Sequence, residues 1–213
     1  MGESHPHALT DSYMNLSAHK APNDQPYLHG RALPVAPPIA GWPPAIHEKE
    51  TIDEIIFRTT KVRNRLILEL MARGGMRVGE VLHLAAKDVE DQKLTIRNPK
   101  SGKLSEVVFI PKKLADRLKD YIKGRAIDGD QRIFRISYTA ARVMVRKAGT
   151  LVGVHLRPHD LRRHAATYAS RSGVPVEIVS KVILRHANLS TTQRYLGKVS
   201  DVEAVRWIEN LYG

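Results

Sequence analysis

Cysteine is absent from this 213-residue chain. That one absence excludes disulfides, thiolate metal sites and cysteine nucleophiles together. No apolar run approaches the ~20 residues that a membrane-spanning helix needs. The opening residues, MGESHPHAL, have neither the basic nor the apolar region of a signal peptide, and Pro6 breaks the myristoylation pattern. The expectation is therefore a cytoplasmic protein with no membrane partner. There is no internal repeat and no Gly-rich phosphate loop of the kind nucleotide enzymes use. Acidic residues are scarce relative to basic ones, 22 against 34, which leaves a net charge of +12. Such a surplus points to an acidic partner, with DNA or RNA first.

What is present is unevenly distributed. Eight of the twelve prolines fall within residues 1–46, and no helical period survives among them. This stretch reads as a proline-rich, disordered arm or linker. Lys20 and Arg31 against Glu3, Asp11 and Asp24 give it a charge of −1, so residues 47–213 hold +13. The basic surplus belongs to the part that folds.

From residue 48 onward helical spacing dominates. Ile52, Ile55 and Ile56 share one face of a first helix, and Leu66, Ile67, Leu70 and Met71 share one face of a second, which Gly74-Gly75 ends. A short helix follows, with Arg77 at its start and Glu80 three residues on. KLTIR (93–97) and EVVFI (106–110) read as two strands of a hairpin whose NPKSGK turn carries Lys100 and Lys103. Pro111 opens another helix, with Leu114, Leu118 and Ile122 facing in. Ser137 is the expected N-cap of a helix over Tyr138–Leu151 that exposes Arg142, Arg146 and Lys147, a plausible clamp for a phosphate backbone. Pro158 starts a helix on which His159 and Arg162 share a face. His186 and Tyr195 are expected on two short helical pieces, with Asn188 and Ser190 as caps. Val202, Val205, Ile208 and Leu211 form an apolar stripe on a last helix, to be covered in cis or by a neighbouring molecule. The fold class is mostly α-helical α+β, with one small antiparallel hairpin or sheet.

Singly, each charged residue has a plain structural explanation. Arg77 suits an ion pair with Glu80, a hairpin lysine is usually solvated, and a lone Tyr on a helix usually packs. Their order and context carry more. Arg77 stands in GGMRVGEVLHL, His159 and Arg162 in HDLRRHAATY, and His186 and Tyr195 in ILRHANLSTTQRY.

In these motifs the chain resembles the catalytic domain of the tyrosine recombinase (phage integrase) family over roughly residues 48–212. The resemblance implies that Arg77, Lys100, His159, Arg162 and His186 surround a scissile phosphate and that Tyr195 is the nucleophile, with Lys103 the alternative hairpin lysine. Lys103, Arg142, Arg146, Lys147, Arg157, Arg163 and Arg185 are the expected DNA contacts. Arg185 stands where the family commonly has Gly before the His, and a cation there contacts DNA or strains the loop. The implied partner is double-stranded DNA, gripped by a homotetramer assembled on it. The family's usual N-terminal core-binding domain has no counterpart in the proline-rich arm, a layout that resembles the small fimbrial inversion recombinases.

The implied chemistry is coherent. Negative charge grows on the phosphate oxygens during displacement, and two guanidiniums offer forked, permanently charged donors to them. A tyrosine hydroxyl must lose or share its proton, which His159 can accept, and the departing 5′ oxygen needs one, which a hairpin ammonium can bring. A 3′-phosphotyrosyl link conserves the bond energy, so rejoining calls for neither ATP nor metal, and no cofactor is expected. Two other readings use the same residues: a type IB topoisomerase-like relaxing enzyme, and a non-catalytic DNA-binding regulator that keeps the fold.

Overall fold

The residue order from Leu66 to Ala72 sets the centre of the fold. All seven side chains are buried, Leu68 and Glu69 included. A helix buried on every side needs neighbours on every side, and this one, α2 (Val62–Gly74), packs against α1 (Lys49–Arg58), α3 (Val78–His83), α4 (Lys112–Gly124) and α6 (Pro158–Arg171). The single-face pattern expected for α2 is thus too narrow. Its one buried charge is answered: Arg117 of α4 donates to both carboxylate oxygens of Glu69 at 2.7 Å. Each fully buried Leu or Ile in this centre contributes about 1.5–3 kcal/mol relative to exposure.

The computed structural model describes residues 47–99, 102–196 and 201–212. The expectation of a disordered arm over 1–46 falls outside these residues, as does Lys100. Val89–Glu90 (β1), Lys93–Arg97 (β2) and Ser105–Phe109 (β3) form a three-stranded antiparallel sheet in that order. The hairpin reading holds, with Leu94 opposite Val108 and Ile96 opposite Glu106. Alternation along β3 turns Glu106 and Val108 to the buried side and leaves Phe109 outside. Ile96, Leu94, Val108 and Ile110 then join the core built by α2 and α4. α5 (Tyr138–Thr150) begins as read, with the Ser137 hydroxyl accepting from the Ala140 N–H at 3.1 Å. It presents Ala141, Val145 and Ala148 inward and packs on α1 and α3.

After α6 the chain departs from expectation. A single α turn, Val176–Ile178 (α7), widens into a π-helical segment over Val179–Ile183. The Leu184 N–H reaches the Val179 carbonyl at 2.9 Å, and the His186 N–H reaches the Ser180 carbonyl at 2.9 Å. His186 therefore sits in a loop rather than on a helical piece. Asn188 accepts the Ser190 N–H at 2.9 Å just before α8 (Leu189–Leu196), so Asn188 is the cap and Ser190 lies within the first turn. On α9 (Asp201–Tyr212), Val202, Val205, Ile208 and Leu211 are all exposed, so the described residues do not cover that stripe. Among the described residues no helix is long and apolar enough to cross a membrane.

Candidate active site

Four segments meet where α2 ends. Gly75, at φ 61, turns the chain out of α2, and a Cβ there would come within 2.8 Å of the Ile183 side chain and carbonyl. Only glycine lets this turn lie against the π segment. Arg162, on α6, joins the two: its Nη1 donates to the Gly75 carbonyl and its Nη2 to the Leu184 carbonyl. The side chain is buried, 2% exposed, although it carries a permanent charge. Burying so large a cation is costly unless its donors are used, and here they hold the turn before Arg77 against the loop before His186.

Arg77 caps α3. Its backbone N–H donates to Glu80 Oε2 at 2.8 Å and its Nη1 to Glu80 Oε1 at 2.6 Å. The plain expectation of an Arg77–Glu80 pair is met, but Glu80 does more than answer Arg77. Arg185 Nη2 donates to the same Oε2 at 2.6 Å, and Arg185 Nε stands 3.3 Å from Glu106 of β3. Burial pushes the Glu80 carboxyl upward, but Arg185 and the backbone and side chain of Arg77 outweigh it and hold the group below the ordinary carboxylate range. The Arg185 side chain is only 4% exposed. The side chain is directed inward to two carboxylates, Glu80 and Glu106, and also lines the cleft beside His186. Its backbone sits at φ 51, a left-handed conformation costing a non-glycine residue roughly 1–3 kcal/mol, so the expected loop strain is present.

His186 is half-buried beside this cluster. Its Nδ1 lies 3.0 Å from Thr192 Oγ1, which lies 2.8 Å from Ser180 Oγ. This chain of hydroxyls runs from α8 to the π segment and orients the imidazole. Burial first, then Arg162, Arg77, Arg185 and His159, push the His186 pKa down to about 4. His159, in the first turn of α6, is also lowered, by burial and then by Arg163, and is neutral at pH 7.

The other expected residues are placed as follows. The backbone of Tyr195 belongs to α8, two turns of chain beyond His186; its side chain lies outside the described atoms. Lys103, leading into β3, lines an open cleft of about 470 Å³ with His186, Arg185 and Lys181. A second cleft, of about 730 Å³, opens beside Arg77 and is lined also by Arg97, Arg132 and Tyr138. Arg142, Arg146 and Lys147 are exposed on α5. Arg157, the N-cap of α6, pairs with Asp160 at 3.4 Å, and Arg163 is half-buried. Glu106, Thr192 and Ser180 were not among the expected site residues, and Glu80 figured only as a partner for Arg77. Glu106 left a signal, a charge at an inward-facing strand position. Among the described residues no group of three or more His, Asp or Glu is placed to hold a metal ion.

The histidines predict a pH dependence. The pKa values of His159, His164 and His186 are all lowered from the ordinary 6.5. Protonation therefore favours the unfolded chain. Their contribution is fully present above about pH 6.5 and is lost as the pH falls toward the folded values. Allowing for solvent screening, we expect urea melts to lose on the order of 1–2 kcal/mol between pH 7 and pH 5. A melt unchanged or strengthened over that interval would contradict these assignments.

Comparison with known proteins bears on the same region. The family model described as "Phage integrase family" matches residues 47–200. The tyrosine recombinase XerA of Pyrococcus horikoshii is 32% identical over 187 residues, covering 80% of this chain and 64% of the relative. The XerA of Saccharolobus solfataricus is 30% identical over 176 residues, covering 78% of this chain and 58% of the relative. The chain thus spans about three-fifths of the length of these curated relatives. A crystal structure of XerA recombinase superposes with a TM-score of 0.69 at 23% identity, covering 84% of this chain and 67% of that one.

Proposed function

Because the chain belongs to the phage integrase family, we propose that it is a site-specific DNA recombinase that cleaves and rejoins DNA through a 3′-phosphotyrosyl intermediate. The observation that carries this reading is Arg162, which ties the turn before Arg77 to the loop before His186, with Tyr195 in the helix that follows. In the proposed reaction Arg77 and Arg162 bring two permanent positive charges to the non-bridging oxygens of a phosphodiester, where they stabilise the added negative charge. His186, neutral at pH 7, places an uncharged imidazole rather than a second full charge beside the phosphate, and Thr192 on Nδ1 holds the ring in place. His159, lowered and neutral, is competent to accept the Tyr195 proton. The Tyr195 oxygen attacks phosphorus, the bond to the 5′ oxygen breaks, and that oxygen takes a proton from the hairpin lysine, Lys100 or Lys103. Lys103 has the support of its cleft, which it shares with His186. A free 5′-hydroxyl from another strand reverses the step, and the charge needed is supplied by side chains, so neither metal nor ATP enters.

The substrate is double-stranded DNA, approached by a basic folded region of charge +13 in which Arg142, Arg146, Lys147, Arg157 and Arg163 serve as backbone contacts. Partner exchange between two duplexes requires four copies on the DNA. The discriminating experiment uses two differently labelled duplexes that carry the same site. Recombinant strands of mixed label support this reading. Relaxation of supercoils without mixed strands would replace it with a topoisomerase-like activity, and sequence-specific binding with no cleavage would replace it with a regulator.

A further inference from the structure

The position before His186 holds the most unusual side chain of the region. Arg185 is in the left-handed backbone conformation at φ 51, yet its guanidinium is enclosed between two carboxylates from separate elements. Nη2 donates to Glu80 Oε2 at 2.6 Å, Nε stands 3.3 Å from Glu106 Oε2, and Nη1 donates to the Ile183 carbonyl at 3.0 Å. Glu80 in turn holds both the backbone and the side chain of Arg77. One guanidinium thus links the α3 start, the strand leading from the lysine hairpin, and the loop that carries His186.

We propose that Arg185 is a positioning residue: through Glu80 it sets Arg77 and the His186 loop in register for one phosphate. The inference rests on the recombinase reading above. Without Arg185, Glu80 would have Arg77 as its only cationic partner among the described residues. The Arg77–Glu80 pair would then close on itself as a neutral unit, and an arginine so occupied is a weaker receiver for phosphate oxygens. Arg185 shares Oε2 with the Arg77 backbone N–H, so the Arg77 guanidinium is held at Oε1 by Nη1 alone and keeps further N–H donors for a ligand. Glu106 answers the remaining side of Arg185 and brings β3 into the same arrangement. Lysine at this position keeps the charge but not the planar fork that reaches two carboxylates and a carbonyl at once.

The test compares wild type, Arg185→Gly, Arg185→Lys, Glu80→Gln and the Arg185→Gly/Glu80→Gln double variant. Each is assayed for DNA affinity, and for single-turnover covalent cleavage at saturating nicked duplex. Glycine suits φ 51, so Arg185→Gly removes the side chain without forcing the backbone. Cleavage is expected to fall about tenfold or more in Arg185→Gly and less in Arg185→Lys, with affinity within about twofold of wild type. Both changes break the same link, so the double variant should be no slower than the slower single variant by more than about threefold. Wild-type cleavage in Arg185→Gly, a loss of affinity equal to the loss of cleavage, or effects that multiply in the double variant would each overturn the proposal. Should Arg185→Gly lack a cooperative melt, the same comparisons made with Arg185→Lys decide it. A wild type that forms no covalent complex overturns this inference and the recombinase reading together. A wild type with a Tyr195-dependent covalent band beside an equally active Arg185→Gly overturns this inference alone.

Discussion

Replacing Tyr195 by Phe is expected to abolish covalent attachment to DNA while leaving affinity within about twofold of wild type. The change deletes one hydroxyl on α8 and, in the proposed mechanism, the only oxygen that attacks phosphorus. No neighbouring cysteine can take over, because the chain has none. Loss of a nucleophile typically removes many orders of magnitude of rate, on the order of 10⁵ or more, so a denaturing gel should show no band for the variant. Binding draws mainly on charge contacts along the backbone, to which a phenol oxygen adds little. Gel-shift titration alongside the denaturing gel checks both halves. Attachment that persists in Tyr195→Phe would remove Tyr195 from its assigned role.

Arg162→Ala should produce the largest combined loss of stability and cleavage. Its guanidinium is buried and donates to the carbonyls of Gly75 and Leu184. Alanine takes away both donors from carbonyls that water cannot easily reach, at about 1–3 kcal/mol each, together with the packing of the arginine stem. A total of about 3–5 kcal/mol is a large share of an ordinary domain's stability. Because Gly75 precedes Arg77 by two residues and Leu184 precedes His186 by two, the same change releases both of their loops. Cleavage is expected to fall by a further factor of about 10²–10³ beyond what unfolding accounts for. Arg162→Lys, with one point charge for two carbonyls, should recover part of the stability and little of the rate. Urea melts paired with single-turnover cleavage measure these effects. A melt within about 0.5 kcal/mol of wild type would contradict the clamp role.

How far the sequence could lead is clear from particular residues. The hairpin, the Ser137 cap, the Gly74-Gly75 stop and the Pro158 start are local signals, set by turn chemistry and strand alternation, and they were legible. The full burial of α2 was not, because which faces a helix covers depends on how many neighbours it finds. Leu68 and Glu69 show this: one is apolar on the face expected to be outer, the other is a charge whose partner, Arg117, lies 48 residues away. The π segment over Val179–Ile183 also escaped, since one extra residue per turn leaves hardly any mark on hydrophobic spacing. Its consequence is that His186 is presented from a loop.

The site divides in the same way. Motif context in the sequence singles out Arg77, His159, Arg162 and His186 for the proposed site. The structure adds the groups that hold Arg77 and His186, namely Glu80, Thr192 and Ser180, with Glu106 answering Arg185. Such supporting residues are common types at unremarkable positions, and only tertiary packing gives them meaning. Arg185 is the instructive case. As a cation next to His186 it reads as a DNA contact, and in the structure two buried carboxylates turn it inward.

The proposed reaction joins this chain to DNA through a tyrosine and a 3′ phosphate. The most direct measurement is the polarity of the break in a trapped complex. Wild-type protein would be incubated with nicked duplexes tiled across the DNA flanking its own gene. The covalent species would be isolated under denaturing conditions, the released strand end tested for direct labelling by a polynucleotide kinase, and the attached peptide identified by mass spectrometry. The expected result is protein linked to the 3′ side through the Tyr195 peptide, and a released end bearing a free 5′-hydroxyl that labels without prior phosphatase treatment. Linkage through a 5′ phosphate, linkage through another residue, or measurable binding with no covalent species on any duplex would contradict it.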